Sequence, residues 1–257
     1  MINRIYGVLC RYYFLYRNSW PRIIEIAYWP TMQMLVWGLV STYLVNMNTD
    51  AGAGLFFAML GGALMWEIFL RAQIGHAFLF LEEMWSRNLG HLFISPLRPY
   101  EWIISLIILG LIRTTIGILP PMLLAIPIYG FSIFEIGFPF LLFFINLFIT
   151  GWWLGLIVQS LILRYGLGIE ALAWTIAAAL APISCVFYPV SVLPEWLQTV
   201  AFSLPTAYCF EALREVLLSG NILWDYLGYA TLLNILYGFL SVLLFMFSSK
   251  RLKIMHH

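Results

Sequence analysis

Three ionisable residues stand inside otherwise apolar runs: Glu67, Arg71 and Arg113. Each would cost roughly 2.5–3.5 kcal/mol near the centre of a lipid-embedded helix, so such groups pair with one another or serve a pathway. Glu67 and Arg71 are one helical turn apart, the spacing at which a carboxylate meets a guanidinium. With Arg113 they would form a cluster of one net positive charge, to be met by a polar substrate or a backbone carbonyl. The same residues would also serve to lock two helices together, and the sequence alone leaves both readings open. Bond-breaking chemistry is not legible. The chain has no GxxxxGK[ST] phosphate loop, no HExxH, no GxSxG and no paired carboxylates at a defined site. Its four histidines show no metal-ligand spacing and its three cysteines no CxxC pair. No catalytic, cofactor-binding or metal-binding residue is expected, and the chain is not expected to be an enzyme.

Two further stretches carry residue types at functional spacing. The first is Glu82–Glu101, EEMWSRNLGHLFISPLRPYE. Leu81, Trp85, Leu89 and Leu92 share one helical face, and Glu83, Arg87 and His91 share another. Ser95–Pro96 and Arg98–Pro99 end that helix, because the residue before a proline is pushed out of helical geometry. The second stretch is Phe187–Gly220. Pro189, Pro194 and Pro205 prevent one continuous helix, while Glu195, Glu211, Arg214 and Glu215 oppose a plain membrane crossing. Two short helices are predicted, Pro194–Phe202 and Pro205–Ser219, each starting where a proline fits the first turn. Gly220 is a natural stop. Tyr208, Glu211 and Arg214 then fall on one face.

The elements that must position these residues follow from composition. Hydrophobic residues make up 63% of the chain and charged residues 10%, against about a quarter charged in soluble domains. That balance cannot cover a water-soluble surface and predicts a polytopic membrane protein. Runs long enough for the ~20 residues of a bilayer crossing are Ile26–Thr49, Gly54–Leu81, Trp102–Tyr129, Phe138–Leu163, Ala171–Leu193 and Tyr226–Ser249. Residues 1–22 read as an interfacial helix, with Ile5, Val8, Leu9, Tyr12 and Tyr16 on one face and Arg4 and Arg11 elsewhere. Six crossings put both termini on one side. With that side cytoplasmic, Arg4, Arg11, Arg17, Arg22, Arg87, Arg98, Arg164, Lys250, Arg251 and Lys253 lie inside and Arg214 outside, as the positive-inside rule requires. The net charge of +1 gives no reason to expect a nucleic-acid partner.

The order of these elements, and the run from Pro189 through Leu-Pro-x-Trp-Leu to Pro205, Tyr208, Glu211 and Arg214, resembles the C-terminal signature of the ABC-2 permeases. These are the membrane subunits of ATP-binding-cassette exporters. The resemblance covers nearly the whole chain, although Arg87–Asn88 stands where many members carry Gly-Thr. It implies an all-α fold of one transmembrane domain, residues 1–257: six transmembrane helices, an N-terminal interfacial helix, a cytoplasmic coupling helix in 82–101 and an extracytoplasmic re-entrant helical hairpin in 187–220. It further implies a homodimer in the bacterial cytoplasmic (inner) membrane, driven by a separate ATPase subunit that binds ATP and Mg. Glu83, Trp85, Arg87, Leu89 and Leu92 would couple to that ATPase. Pro194, Trp196, Pro205, Tyr208, Glu211 and Arg214 would form an outer gate for a glycan, lipid-linked, drug-like or otherwise amphiphilic substrate. Two rival readings stand beside it. An ion-coupled secondary transporter would use Glu67, Arg71 and Arg113; a membrane-embedded lipid-modifying enzyme would need a nucleophile and base that the sequence does not offer.

Overall fold

The computed structural model describes residues 2–17, 19–47, 52–86 and 98–255. Among them the chain forms nine α-helices and no strand. These are α1 (Ile2–Arg17), α2 (Trp20–Met47), α3 (Gly52–Trp85), α4 (Pro99–Tyr129), α5 (Phe138–Tyr165), α6 (Leu172–Leu180), α7 (Glu195–Ala201), α8 (Pro205–Ser219) and α9 (Trp224–Met255). Five of them, α2, α3, α4, α5 and α9, are long and apolar enough to cross a membrane. The chain is thus a helical, multi-pass membrane protein.

The segment 171–193 does not form a sixth such helix. Its helix α6 has nine residues, about 14 Å at 1.5 Å per residue, roughly half a hydrocarbon layer of ~30 Å. Beyond Leu180 the chain turns, passes Cys185 at φ +55 and makes a single 3₁₀ turn over Val190–Val192. Pro182 and Pro189 bracket this break and remove the donors that a continuing helix needs.

Helix α3 is central. It packs on α2, α4, α5, α6 and α8, and most of its side chains between Ala58 and Leu81 are buried. Its closest partner is α5, and the crossing depends on two glycines one helical turn apart. A Cβ on Gly151 would sit 2.5 Å from the Phe69 carbonyl, and one on Gly155 would sit 2.9 Å from the His76 Cβ. Small residues let two backbones approach where lipid offers no hydrophobic drive between helices. A second close approach joins α2 to α4. Pro30 stands inside α2, which continues past it, and proline cannot donate to the carbonyl four residues earlier. That carbonyl, Ile26 O, faces Gly117, whose Cβ would lie 2.9 Å away.

Helix α9 is held to α5 by buried amides. Asn234 Nδ2 donates to both the carbonyl and the side-chain oxygen of Asn146, each at 3.0 Å. Its Oδ1 accepts from Thr150 at 2.8 Å and from the Trp153 indole at 2.9 Å. Each buried polar atom named here has a partner, which is the condition for such groups to hold helices together in lipid.

Candidate functional site

The expected helical hairpin is present, with α7 and α8 bounded almost as the prolines predict. Pro194 caps α7, Pro205 occupies the first turn of α8, and Gly220 closes it at φ 74. Its turn is tied to the last long helix, with Ser203 itself exposed. The Tyr237 hydroxyl donates to the carbonyl of Ser203 at 2.8 Å. Tyr237 lies thirteen residues beyond the start of α9, about 20 Å along the axis. Thr206 meets Ser184 at 2.8 Å, and Phe210 lies 6.0 Å from Trp66, midway along α3. Tyr208 sits in an aromatic group with Phe202, Tyr226 and Tyr229, with ring centroids 5.2 to 5.6 Å away. Trp196 is exposed and Pro205 buried.

Glu211 and Arg214 pair, with Oε1 and Nη1 3.1 Å apart. They face the chain's own break. Arg214 Nη2 donates to the carbonyls of Cys185 at 2.7 Å and Tyr188 at 2.8 Å, while Glu211 accepts from the Val190 backbone N–H. The planar guanidinium suits this task, since its donors leave in fixed directions and can serve two acceptors at once. Sequence spacing identified the pair; the backbone turn that it holds was not visible there.

The intramembrane charges divide. Arg71 Nε donates to Glu67 Oε2 at 3.2 Å, and Glu67 is 3% exposed. Arg113 does not complete this pair: its guanidinium lies 5.1 Å from the centre of the Tyr16 ring on α1. What Arg71 and Arg113 share is a cavity of about 250 Å³, lined also by Tyr16, Glu25, Phe78, Glu82 and Trp85. A ring presents its negative face to a cation, which explains the choice of Tyr16.

Helix α1 turns out to be a clamp. Arg4 meets Glu101 at 3.4 Å, and Tyr16 meets Arg113 twelve residues further along both helices, so α1 runs beside the first turns of α4. On its other side Arg11 bonds Glu83 at 2.9 Å, and the Tyr12 hydroxyl donates to Glu83 at 2.7 Å and to the Leu79 carbonyl at 3.1 Å. Burial, reinforced by the Glu83 carboxylate, raises the pKa of that hydroxyl above its ordinary value. Glu83 is therefore turned into the protein, whereas Trp85 is 48% exposed and donates to Glu170 at 3.0 Å. Both belong to the end of α3. Arg87, Leu89 and Leu92, with the rest of residues 87–97 of the expected coupling segment, lie outside the described residues.

Several buried residues were not singled out by sequence reading. Gln73 donates to the Ala173 carbonyl at 3.0 Å and Gln159 to the His76 carbonyl at 2.8 Å, across α3, α5 and α6. Asn146 and Asn234 had a usable signal: each is an isolated amide in a charge-free apolar run. No protein-family model matches the chain, and no curated protein matches it either.

Proposed function

We propose that this chain is the permease subunit of an ATP-driven exporter of the ABC-2 type. The observation that carries the reading is the hairpin α7–α8. It falls between a broken apolar segment and the final long helix, and its turn meets Tyr237 about 20 Å along α9. Irregular backbone at that depth is tolerated only against protein or a water-filled cavity, which is what an extracytoplasmic gate beside a path requires. On this reading segment 171–193 supplies a broken sixth crossing, and the coupling helix lies within residues 82–101, in the connection between α3 and α4. Both termini face the cytoplasm of a bacterial inner membrane. The path runs between two copies of the chain, and α2, the least covered of the five long helices, offers one face for the second copy. ATP and Mg belong to a separate ATPase. The substrate class is an amphiphile: a glycan, a lipid-linked molecule or a drug.

A second reading, ion-coupled transport, is favoured by one observation: Arg71, paired with the buried Glu67, lines a cavity together with Arg113. Affinity purification from native membranes separates the two. The exporter reading predicts that a phosphate-loop ATPase accompanies the chain in equal amount and is lost with Leu89→Arg. A chain that purifies without any ATPase would overturn it.

A further inference from the structure

The cavity between α1, α2, α3 and α4 has a definite depth. Arg71 lies seventeen residues from Gly54, where the long apolar stretch of α3 begins, and Arg113 lies sixteen from the Tyr129 end of α4. Both distances are about 25 Å. In a hydrocarbon layer of ~30 Å, the two guanidiniums therefore reach the boundary region at the Trp85 end of α3, where lipid phosphates lie. The remaining turns of α3 and α4 extend past that boundary, and α1 with its arginines runs beside them.

The chemistry of the walls is bipolar. Arg71 commits one nitrogen to Glu67 and no other to an acceptor among the described residues, and Arg113 has a ring contact but no hydrogen-bond acceptor among them. Glu25, which is exposed, and Glu82 line the same cavity. Arg71 is matched by Glu67 and Glu82 is engaged within the protein, so Arg113 and Glu25 are the cation and anion left to a ligand, and a purely anionic group meets no net attraction there. A zwitterion meets both signs. Ile74 and Phe78 supply apolar surface between the charges.

We propose that this cavity holds the headgroup of a zwitterionic phospholipid bearing a primary ammonium, of the phosphatidylethanolamine type. Arg113, with the remaining donors of Arg71, takes the phosphodiester, for which a forked guanidinium is suited, and Glu25 accepts from the ammonium. The site rests on the chain being membrane-embedded and not on its being an exporter. It makes α1, through Tyr16, part of a lipid-dependent joint between α2, α3 and α4.

The test uses the full chain with any subunits that accompany it, equilibrated in vesicles of equimolar phosphatidylethanolamine and phosphatidylglycerol. Lipid retained after extraction is counted by native mass spectrometry. Charge-assisted hydrogen bonds to the ammonium, which phosphatidylglycerol lacks, predict that wild type keeps phosphatidylethanolamine over phosphatidylglycerol by about tenfold or more. Glu25→Gln, a conservative change at an exposed position, should bring that ratio close to one. Arg113→Gln should lower retention of both lipids. Soluble phosphoethanolamine at millimolar concentration should not displace the bound lipid. Equal retention of the two lipids by wild type would overturn the proposal, as would a Glu25→Gln ratio equal to wild type or displacement by the soluble headgroup.

Discussion

Tyr237 on α9 donates a hydrogen bond to the carbonyl of Ser203, at the turn between α7 and α8. That contact ties the hairpin turn to a point thirteen residues into the last long helix. Without it the turn would keep a free carbonyl about 20 Å from the start of α9. Tyr237→Phe removes the donor and keeps the ring, which also packs on Trp153 at 5.1 Å. The expected loss is about 1 kcal/mol, read as a lower melting temperature of the purified protein. An unchanged melt would show that the turn is held by other contacts.

The hairpin also closes the break that precedes it. Arg214 serves two carbonyls and a carboxylate at once. A lysine cannot reproduce that fork, so Arg214→Lys should resemble Arg214→Ala in stability. Under the exporter reading the same variants should lower the ratio of transport to ATP hydrolysis, or leak small solutes. Full rescue by lysine would reduce the residue to a point charge.

Glu67 and Arg71 touch, and Arg113 does not touch Glu67. A double-mutant cycle should show coupling between Glu67→Ala and Arg71→Ala, with Arg71→Ala costing as much as ~3–5 kcal/mol because Glu67 is left buried and alone, and Glu67→Ala costing less because Arg71 is a quarter exposed. Glu67→Ala and Arg113→Ala should add to within about 0.5 kcal/mol. Measured by thermal stability, additivity in the first cycle would rule out the pair.

The α1 clamp gives a prediction with a pH sign. The Tyr12 hydroxyl is raised by burial and by Glu83. Its contribution is therefore complete below the unfolded tyrosine value of about 10 and is lost as pH rises past it, when the unfolded chain ionises first. Tyr12→Phe should flatten the alkaline loss of stability, whereas Glu83→Gln should expose residues 2–17 to protease at neutral pH. Equal alkaline slopes for wild type and Tyr12→Phe would remove this role.

How much of this was legible depended on whether the signal was local. Pro194, Pro205 and Gly220 act on their own backbone, so the bounds of α7 and α8 could be read to within a residue or so. The count of long helices could not. Apolar composition in 171–193 looks the same whether the chain is a 23-residue helix or a nine-residue one followed by turns, and the outcome is set by Pro182, Pro189 and the grip of Arg214 on two carbonyls. The partner of Arg113 was not readable either, because Tyr16 reaches it through the packing of α1 on α4. Glu83 seemed to belong to an exposed coupling face, but Tyr12 and Arg11, seventy residues earlier, turn it inward.

Topology offers an independent check on the orientation in the membrane. Cysteines introduced singly at Asn48 and Glu195 should react with an impermeant thiol reagent added to intact cells, and one at Asn88 should not. Labelling at Asn88 alone would invert the proposed orientation.

The most direct test of the exporter reading is ATP hydrolysis by the complex purified through this chain and returned to vesicles. The account predicts hydrolysis that co-purifies with the chain, persists when ion gradients are collapsed, and falls at least about tenfold in Leu89→Arg, where a charge would be desolvated against the ATPase without a counter-ion. No hydrolysis with the wild-type chain, together with substrate flux that stops when the ion gradient is removed, would contradict it.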